Sequence, residues 1–161
     1  MEGRGEVVVR AATSADAATL AALNHHVHDL HVEAEPERYS ATDDAVVAAR
    51  FEAFVADPDT DVILADVDGV PAGYVVVVGV VQPAHAFAPE RRFALIDQIA
   101  VSPDARRRGV GRRLMEAAAE RATARGLGEL QLDVRAHNAQ ARAFYEGLGF
   151  AEVQPRLAKR L

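Results

Sequence analysis

The chain reads as an α/β (α+β mixed sheet) domain: one mixed sheet, antiparallel in its first half and parallel in its second, with helices on both faces. Three observations predict this. Two β-branched runs, residues 61–67 (DVILADV) and 70–81, flank Asp68-Gly69, a two-residue hairpin signal. The later apolar runs, 93–101 and 129–134, are separated by a stretch of helical periodicity, and strands joined through a helix run parallel. The run Val75, Val76, Val77 and Val78 has no polar alternation, so its strand is buried on both faces.

The elements follow in order. Residues 6–10 (EVVVR) are short and β-branched, a strand. Thr13 or Ser14 caps a helix whose body covers 15–31, and Pro36 marks an end to it. A second helix spans 42–56 and stops at Asp57-Pro58-Asp59. After the hairpin, 82–92 holds two prolines and reads as a loop. The strand 93–101 leads into a polar loop over 102–108. A helix fills 109–125, ended by Gly126 and Gly128. Beyond the strand 129–134, a short helix covers 138–148 and closes on Gly149. Residues 150–154 read as a strand, and 156–161 as a last one pairing with it. The order is β-α-α-β-β-β-α-β-α-β-β, with no internal repeat, no low-complexity tract and no linker, hence one domain over 1–161.

Composition narrows the function. Half of the 161 residues are hydrophobic, enough for a sizeable core. The net charge of −6 gains little from counterion release, so no nucleic-acid partner is expected, and a cationic substrate is compatible with it. The absence of cysteine excludes disulfides, thiolate metal sites and cysteine nucleophiles. Residues 1–10 are too polar for a signal peptide. The longest apolar run, 74–81, is far short of the ~20 residues of a membrane helix. A cytoplasmic protein without a membrane partner is the expectation.

The chemistry concentrates in residues 96–115 (IDQIAVSPDARRRGVGRRLM). An apolar strand enters a loop with three consecutive arginines, then Gly109-Val110-Gly111 opens a helix. A helix start leaves backbone N–H groups without partners at the positive end of the macrodipole. Glycine lets a ligand approach that backbone, and the arginines add charge, so the segment is suited to an anion. A P-loop would need Lys-Ser/Thr after Gly111, where Arg112-Arg113 stands, and a dinucleotide fingerprint would need a third glycine where Leu114 stands. In isolation the same residues also fit a solvated basic surface, and Arg112–Glu116 an ordinary i,i+4 pair.

The pattern [Q/R]-x-x-G-x-[G/A], filled by Arg106 to Gly111, resembles the GNAT superfamily of N-acetyltransferases. A second motif, N-x-x-A-x-x-F-Y-x-x-x-G-F, starting at Asn138 and ending at Phe150, resembles the same family's final helix and strand. The two motifs stand in the right order, and with the earlier strands the resemblance spans most of the chain; the N-terminal helices are covered least. It implies a GNAT-like fold and an acyltransferase with acetyl-CoA as co-substrate. By resemblance the main chain of Ile99, Ala100 and Val101 meets the pantetheine arm. Arg106, Arg107, Arg108, Gly109, Val110, Gly111 and Arg112 hold the pyrophosphate, and Asn138, Ala141, Phe144 and Tyr145 contact the cofactor. The resemblance also implies a strand bulge near Ile99 or Ala100 that leaves an N–H for the oxyanion. The alternative is a non-catalytic acyl-CoA-binding regulatory module on the same fold.

N-acetyl transfer needs a proton donor near the leaving thiolate and a base for the amine. Tyr145 matches the family's donor; otherwise it is an aromatic residue packing under the sheet. For the base, strict alternation puts Phe93, Leu95, Asp97, Ile99 and Val101 on one face, and a lone carboxylate on an apolar face is paired, hydrogen-bonded or functional. Asp97 is therefore the candidate base and acceptor contact, with a structural carboxylate as the other reading. His25, His26, His28 and His31 crowd the first helix and read as a polar helix face. The resemblance, whose members use this region for the acceptor, implies instead that His28 lies near the amine pocket. Since no acidic spacing completes a metal site, no metal is expected. The loop 82–92 is expected to frame that pocket, with a partner surface as the other reading. His85 and His137 stand in loop contexts with no identifiable partner. The acceptor, a small-molecule or peptide primary amine, is not specified further; a homodimer is common in the family, and no interface is legible.

Overall fold

Alternation along residues 60–67 decides where the core lies: Val62 and Leu64 face one side of a sheet, Ile63, Ala65 and Val67 the other, and both sides are covered. The computed structural model describes residues 5–136 and 138–161. Five strands, β1 (Val7–Ala11), β2 (Thr60–Val67), β3 (Val70–Gln82), β4 (Arg91–Val101) and β5 (Leu130–Leu132), lie in that order across one sheet. The first three pairings are antiparallel and the last, β4 with β5, is parallel. Asp68 and Gly69 take left-handed backbone (φ 53° and 78°) in the β2–β3 turn, as the hairpin signal requires.

Helices α1 (Ala17–Ala34) and α2 (Asp44–Ala56) cover one face, where Leu20, Leu23, Val47 and Phe51 meet Val62, Leu64, Tyr74 and Val76. Helix α3 (Val110–Ala124) covers the other through Val110, Leu114, Met115 and Ala118. Burying a side chain such as Leu114 fully contributes roughly 2 kcal/mol. Gly73 sets how close the layers come: a Cβ there would stand 2.7 Å from the Ala100 carbonyl oxygen and 3.2 Å from Val110 Cγ1. A short helix, α4 (Ala139–Glu146), follows β5, and Tyr145, Leu148 and Phe150 pack against the α3-side core. Among the described residues no helix is long and apolar enough to cross a membrane.

The expected order holds through α4, with shorter ends. The first helix begins with a 3-10 turn, Ser14–Asp16, and α2 starts two residues late because the Asp43 carboxylate caps it, accepting from Val46 N–H at 3.0 Å. The expected strands 150–154 and 156–161 are not formed. Residues 151–161 are exposed throughout, and Pro155 interrupts the donors a strand there would need.

The α1–α2 pair carries a titratable tie. His25 Nε2 lies 2.7 Å from an Asp44 carboxylate oxygen on α2, and its Nδ1 lies 3.1 Å from Asp29. The hydrogen bond to Asp29 does most to raise its pKa above the ordinary 6.5, and Asp44 adds to this against partial desolvation. A raised folded-state pKa gives stability that is complete below the unfolded value and lost as pH climbs through the folded one. The wild type should therefore melt above a His25→Gln variant near pH 6, and the gap should shrink by about pH 8.5, as followed by circular dichroism.

Candidate active site

One extra residue in β4 shapes the site. Val76 pairs with Gln98 and Val77 with Ile96, so Asp97 is inserted without a partner on β3, a β-bulge. The insertion flips the pleat. Ala94 and Ile96 face α3 before it, and Ile99 and Val101 face α3 after it, while Ala100 turns to the α1–α2 side. Phe93, Leu95, Asp97, Ile99 and Val101 thus do not share one face, and Asp97 is exposed rather than set in an apolar surface. The bulge lies two to three residues before Ile99 or Ala100, the position expected from the resemblance.

The parallel partner ends at the same point. Strand β5 pairs only with Ala94, Leu95 and Ile96, whereas β3 stays with β4 through Val101. Among the described residues no strand lies beside the β5-facing edge of β4 from Asp97 onward, so its backbone groups on that side are available to an extended ligand.

This open edge leads to the start of α3. Ser102 N–H donates to Ala72 C=O at 2.8 Å, a 3-10 turn follows at Pro103–Ala105, and the chain reverses through Arg107 (φ 63°) and Gly109 (φ 87°). Arg107 in that conformation is uncommon for a residue with a side chain, so the loop carries local strain. Among the described residues no side chain caps α3. The first-turn N–H groups at Val110, Gly111 and Arg112 have no intrahelical partner. Arg108 is held at 3.0 Å by Asp68 of the β2–β3 turn, which ties the loop to the sheet. Arg113, not Arg112, takes Glu116 (4.0 Å) and Glu120 (3.3 Å). Arg106, Arg107 and Arg112 are thereby left without an ion-pair partner among the described residues, around a positive helix end.

Helix α4 closes the other side. A Cβ on Gly111 would lie 3.3 Å from Phe144 Cζ, so the Phe144 ring, 37% exposed, stands over the first turn of α3. Asn138 caps α4, its Oδ1 accepting from Ala141 N–H at 3.1 Å, which leaves its Nδ2 for a ligand. Tyr145 packs edge-on against Phe144 and Phe150, with centroids 5.2 and 5.9 Å away. Burial pushes its hydroxyl pKa up, so it stays protonated at neutral pH. No protein partner for that hydroxyl is found among the described residues.

Other expected residues are spent elsewhere. His28 Nε2 donates to Ser40 C=O at 2.8 Å, and His31 stacks on Tyr39 at 5.1 Å. Arg135 donates to the Tyr39 hydroxyl at 2.7 Å and lies 3.7 Å from Glu35, so the α1–α2 loop is strapped to the segment after β5. The 82–92 loop does not border Asp97: it caps the far end of β4, about six residues or roughly 20 Å away. His85 there bridges to Ala88, beside Phe87 at 94% exposure. His137 lies outside the described residues. A groove of about 330 Å³ near Arg10, Ile63, Arg113 and Glu120 contains none of the site residues. The sequence reading misses a buried polar group: Tyr74 (1% exposed) donates to Gln98 Oε1 at 3.0 Å, and Asn24 Nδ2 donates to both Tyr74 Oη (2.8 Å) and Gln98 Oε1 (3.2 Å). Its signal is the tyrosine itself, since a hydroxyl within an all-apolar strand needs partners.

The geometry has counterparts. The family model of the acetyltransferase (GNAT) family matches residues 24–150. A [ribosomal protein bS18]-alanine N-acetyltransferase of Salmonella typhimurium (strain LT2) is 49% identical over 63 residues, 39% of this chain and 43% of that relative. The chain thus matches less than half the length of this curated relative. Among solved structures, a mutant of the BH1408 protein from Bacillus halodurans superposes with a TM-score of 0.89 at 26% identity, over 96% of this chain and 99% of that one. The aminoglycoside N-acetyltransferase AAC(6')-Iy in complex with CoA shares the fold, with a TM-score of 0.75 at 19% identity, over 100% and 98% of the two chains. Because the family match runs from α1 to Phe150 and takes in β4, the start of α3 and α4, the chain belongs to the acetyltransferase (GNAT) family.

Proposed function

We propose that the protein transfers an acetyl group from acetyl-CoA to a primary amine of a small molecule or peptide. The observation that carries this reading is a coincidence of place: β4 loses its β5 partner at Asp97, and its open edge leads directly to an uncapped, arginine-flanked helix start. An extended tether ending in a diphosphate fits both features. In this reading the edge of residues 97–101 pairs with the pantetheine arm through the main chain of Ile99, Ala100 and Val101. The N–H groups of Gly109, Val110, Gly111 and Arg112 hold the phosphates with Arg106 and Arg107, while Arg108 serves through its tie to Asp68. Asn138 Nδ2, Ala141 and Phe144 border the same tether.

Acetyl-CoA supplies the acyl group: the amine nitrogen bonds to the thioester carbon, the C–S bond breaks, and the sulfur leaves as a thiolate. Tyr145, protonated and without a protein partner among the described residues, gives that sulfur a proton or a hydrogen bond. A lysine-type amine has a pKa of about 10.4 and arrives protonated, so a base must take a proton before attack. The Asp97 carboxylate, exposed on the bulge, takes this part directly or through water. Asp97→Asn should lower kcat/KM at pH 7 about tenfold to a hundredfold, with the deficit shrinking near pH 9.5 as the amine deprotonates unaided; pH profiles of both proteins check this.

Incubation with acetyl-CoA and a panel of amines, followed by free thiol, tests the whole reading. Thiol release that depends on the amine supports it. Tight CoA binding without thiol release across a broad panel would favour the non-catalytic acyl-CoA-binding module.

A further inference from the structure

The Asn24–Tyr74–Gln98 group lies on the α1 side of the sheet, immediately next to the bulge. Both donors aim at one atom, Gln98 Oε1, from Tyr74 at 3.0 Å and Asn24 at 3.2 Å. Two donors occupy the two lone pairs of an amide oxygen. That fixes which way the amide is turned, with its oxygen toward the core. What Gln98 retains for a ligand is its Nε2 group, two N–H donors with no protein partner among the described residues, on a half-buried side chain. The residue before it is Asp97, an exposed acceptor-only carboxylate.

The pair therefore offers an acceptor and donors on consecutive residues. The carboxylate suits an ammonium or amine N–H, and the amide suits an oxygen close to that nitrogen. We propose that Gln98 is a substrate-orienting residue, locked by Asn24 and Tyr74, that selects amines whose nitrogen-bearing carbon also carries a carbonyl group, such as amino-acid amides and peptide termini, over plain alkylamines. The inference rests on the acetyl-transfer reading above and deepens it. Tyr74 is the keystone, because its buried hydroxyl both accepts from Asn24 Nδ2 and donates to Gln98 Oε1. Desolvation first, and the nearby Asp97 charge in addition, keep that hydroxyl protonated and donating.

The test compares alanine amide with isopropylamine, the same branched amine without the carbonyl. Gln98→Glu keeps an oxygen for Tyr74 and Asn24 but removes both donors, and Gln98→Met removes donors and acceptor together. The ratio of kcat/KM for alanine amide over isopropylamine should fall about tenfold in both variants, through KM for the amine. Tyr74→Phe should give a smaller fall of the same ratio. Calorimetric titration with CoA should give one dissociation constant for all four proteins. An unchanged ratio in variants that still melt cooperatively and bind CoA overturns the role of Gln98 and leaves acetyl transfer standing. Failure of the wild type to bind CoA removes acetyl transfer itself.

Discussion

Tyr145→Phe is expected to lower kcat about a hundredfold while leaving the dissociation constant of acetyl-CoA within about twofold. The substitution removes one oxygen and nothing else. The ring keeps its edge contacts with Phe144 and Phe150, and the described residues supply no partner for the hydroxyl, so no buried group is orphaned by its loss. Stability should hardly change for the same reason. The hydroxyl is held protonated by burial, the state a donor to sulfur must have. Turnover should therefore fall in the step that breaks the C–S bond. Two measurements separate the roles: steady-state kcat with saturating amine, and CoA affinity by calorimetry. An unchanged kcat would leave Tyr145 as a packing residue and move proton donation to water. A proportional loss of affinity would make it a binding group instead.

Much of the architecture is legible in the sequence because it rests on local chemistry. Asp68-Gly69 needs positive φ at both residues and has it, so the antiparallel half follows from two residues. Gly109 at φ 87°, with arginines before it, marks the helix start equally plainly. What escapes is decided by register and by contacts remote in sequence. Period-two reasoning along 93–101 assumes an unbroken ladder. One inserted residue at Asp97 reverses the faces of everything after it, and nothing in FALIDQIAV distinguishes a bulge from a strand. Spacing pairs Arg112 with Glu116, yet Arg113 reaches both Glu116 and Glu120 across the helix surface, and Arg112 has no ion-pair partner among the described residues. The Asn24–Tyr74–Gln98 group joins residues 50 and 74 positions apart, and only the fold brings them together. The last two expected strands fail for another reason: Val153, Leu157 and Leu161 are spaced without a face to bury, and all are exposed.

Gly111→Val should raise the dissociation constant of CoA at least a hundredfold, about 2.7 kcal/mol, with little loss of thermal stability. Gly111 is in the first turn of α3, where the N–H groups lack helical partners, and a Cβ there already stands 3.3 Å from Phe144 Cζ. Two methyl groups beyond that Cβ must either displace the Phe144 ring or occupy the space above the N–H groups. Phe144 is 37% exposed and can move, so the fold survives, and replacing glycine within a helix returns some of its entropic cost. Its movement does not clear the approach to the amides, so the loss appears in affinity. Gly111→Ala grades the argument: its single methyl needs only a few tenths of an ångström from Phe144, and its effect should be several-fold smaller. If the anion is gripped here, raising salt from about 50 to 200 mM should weaken wild-type binding more steeply than that of an Arg107→Ala, Arg112→Ala double variant. A Gly111→Val protein that binds CoA like the wild type would mean that the diphosphate rests elsewhere, and the arginine-flanked helix start would lose its part in the site.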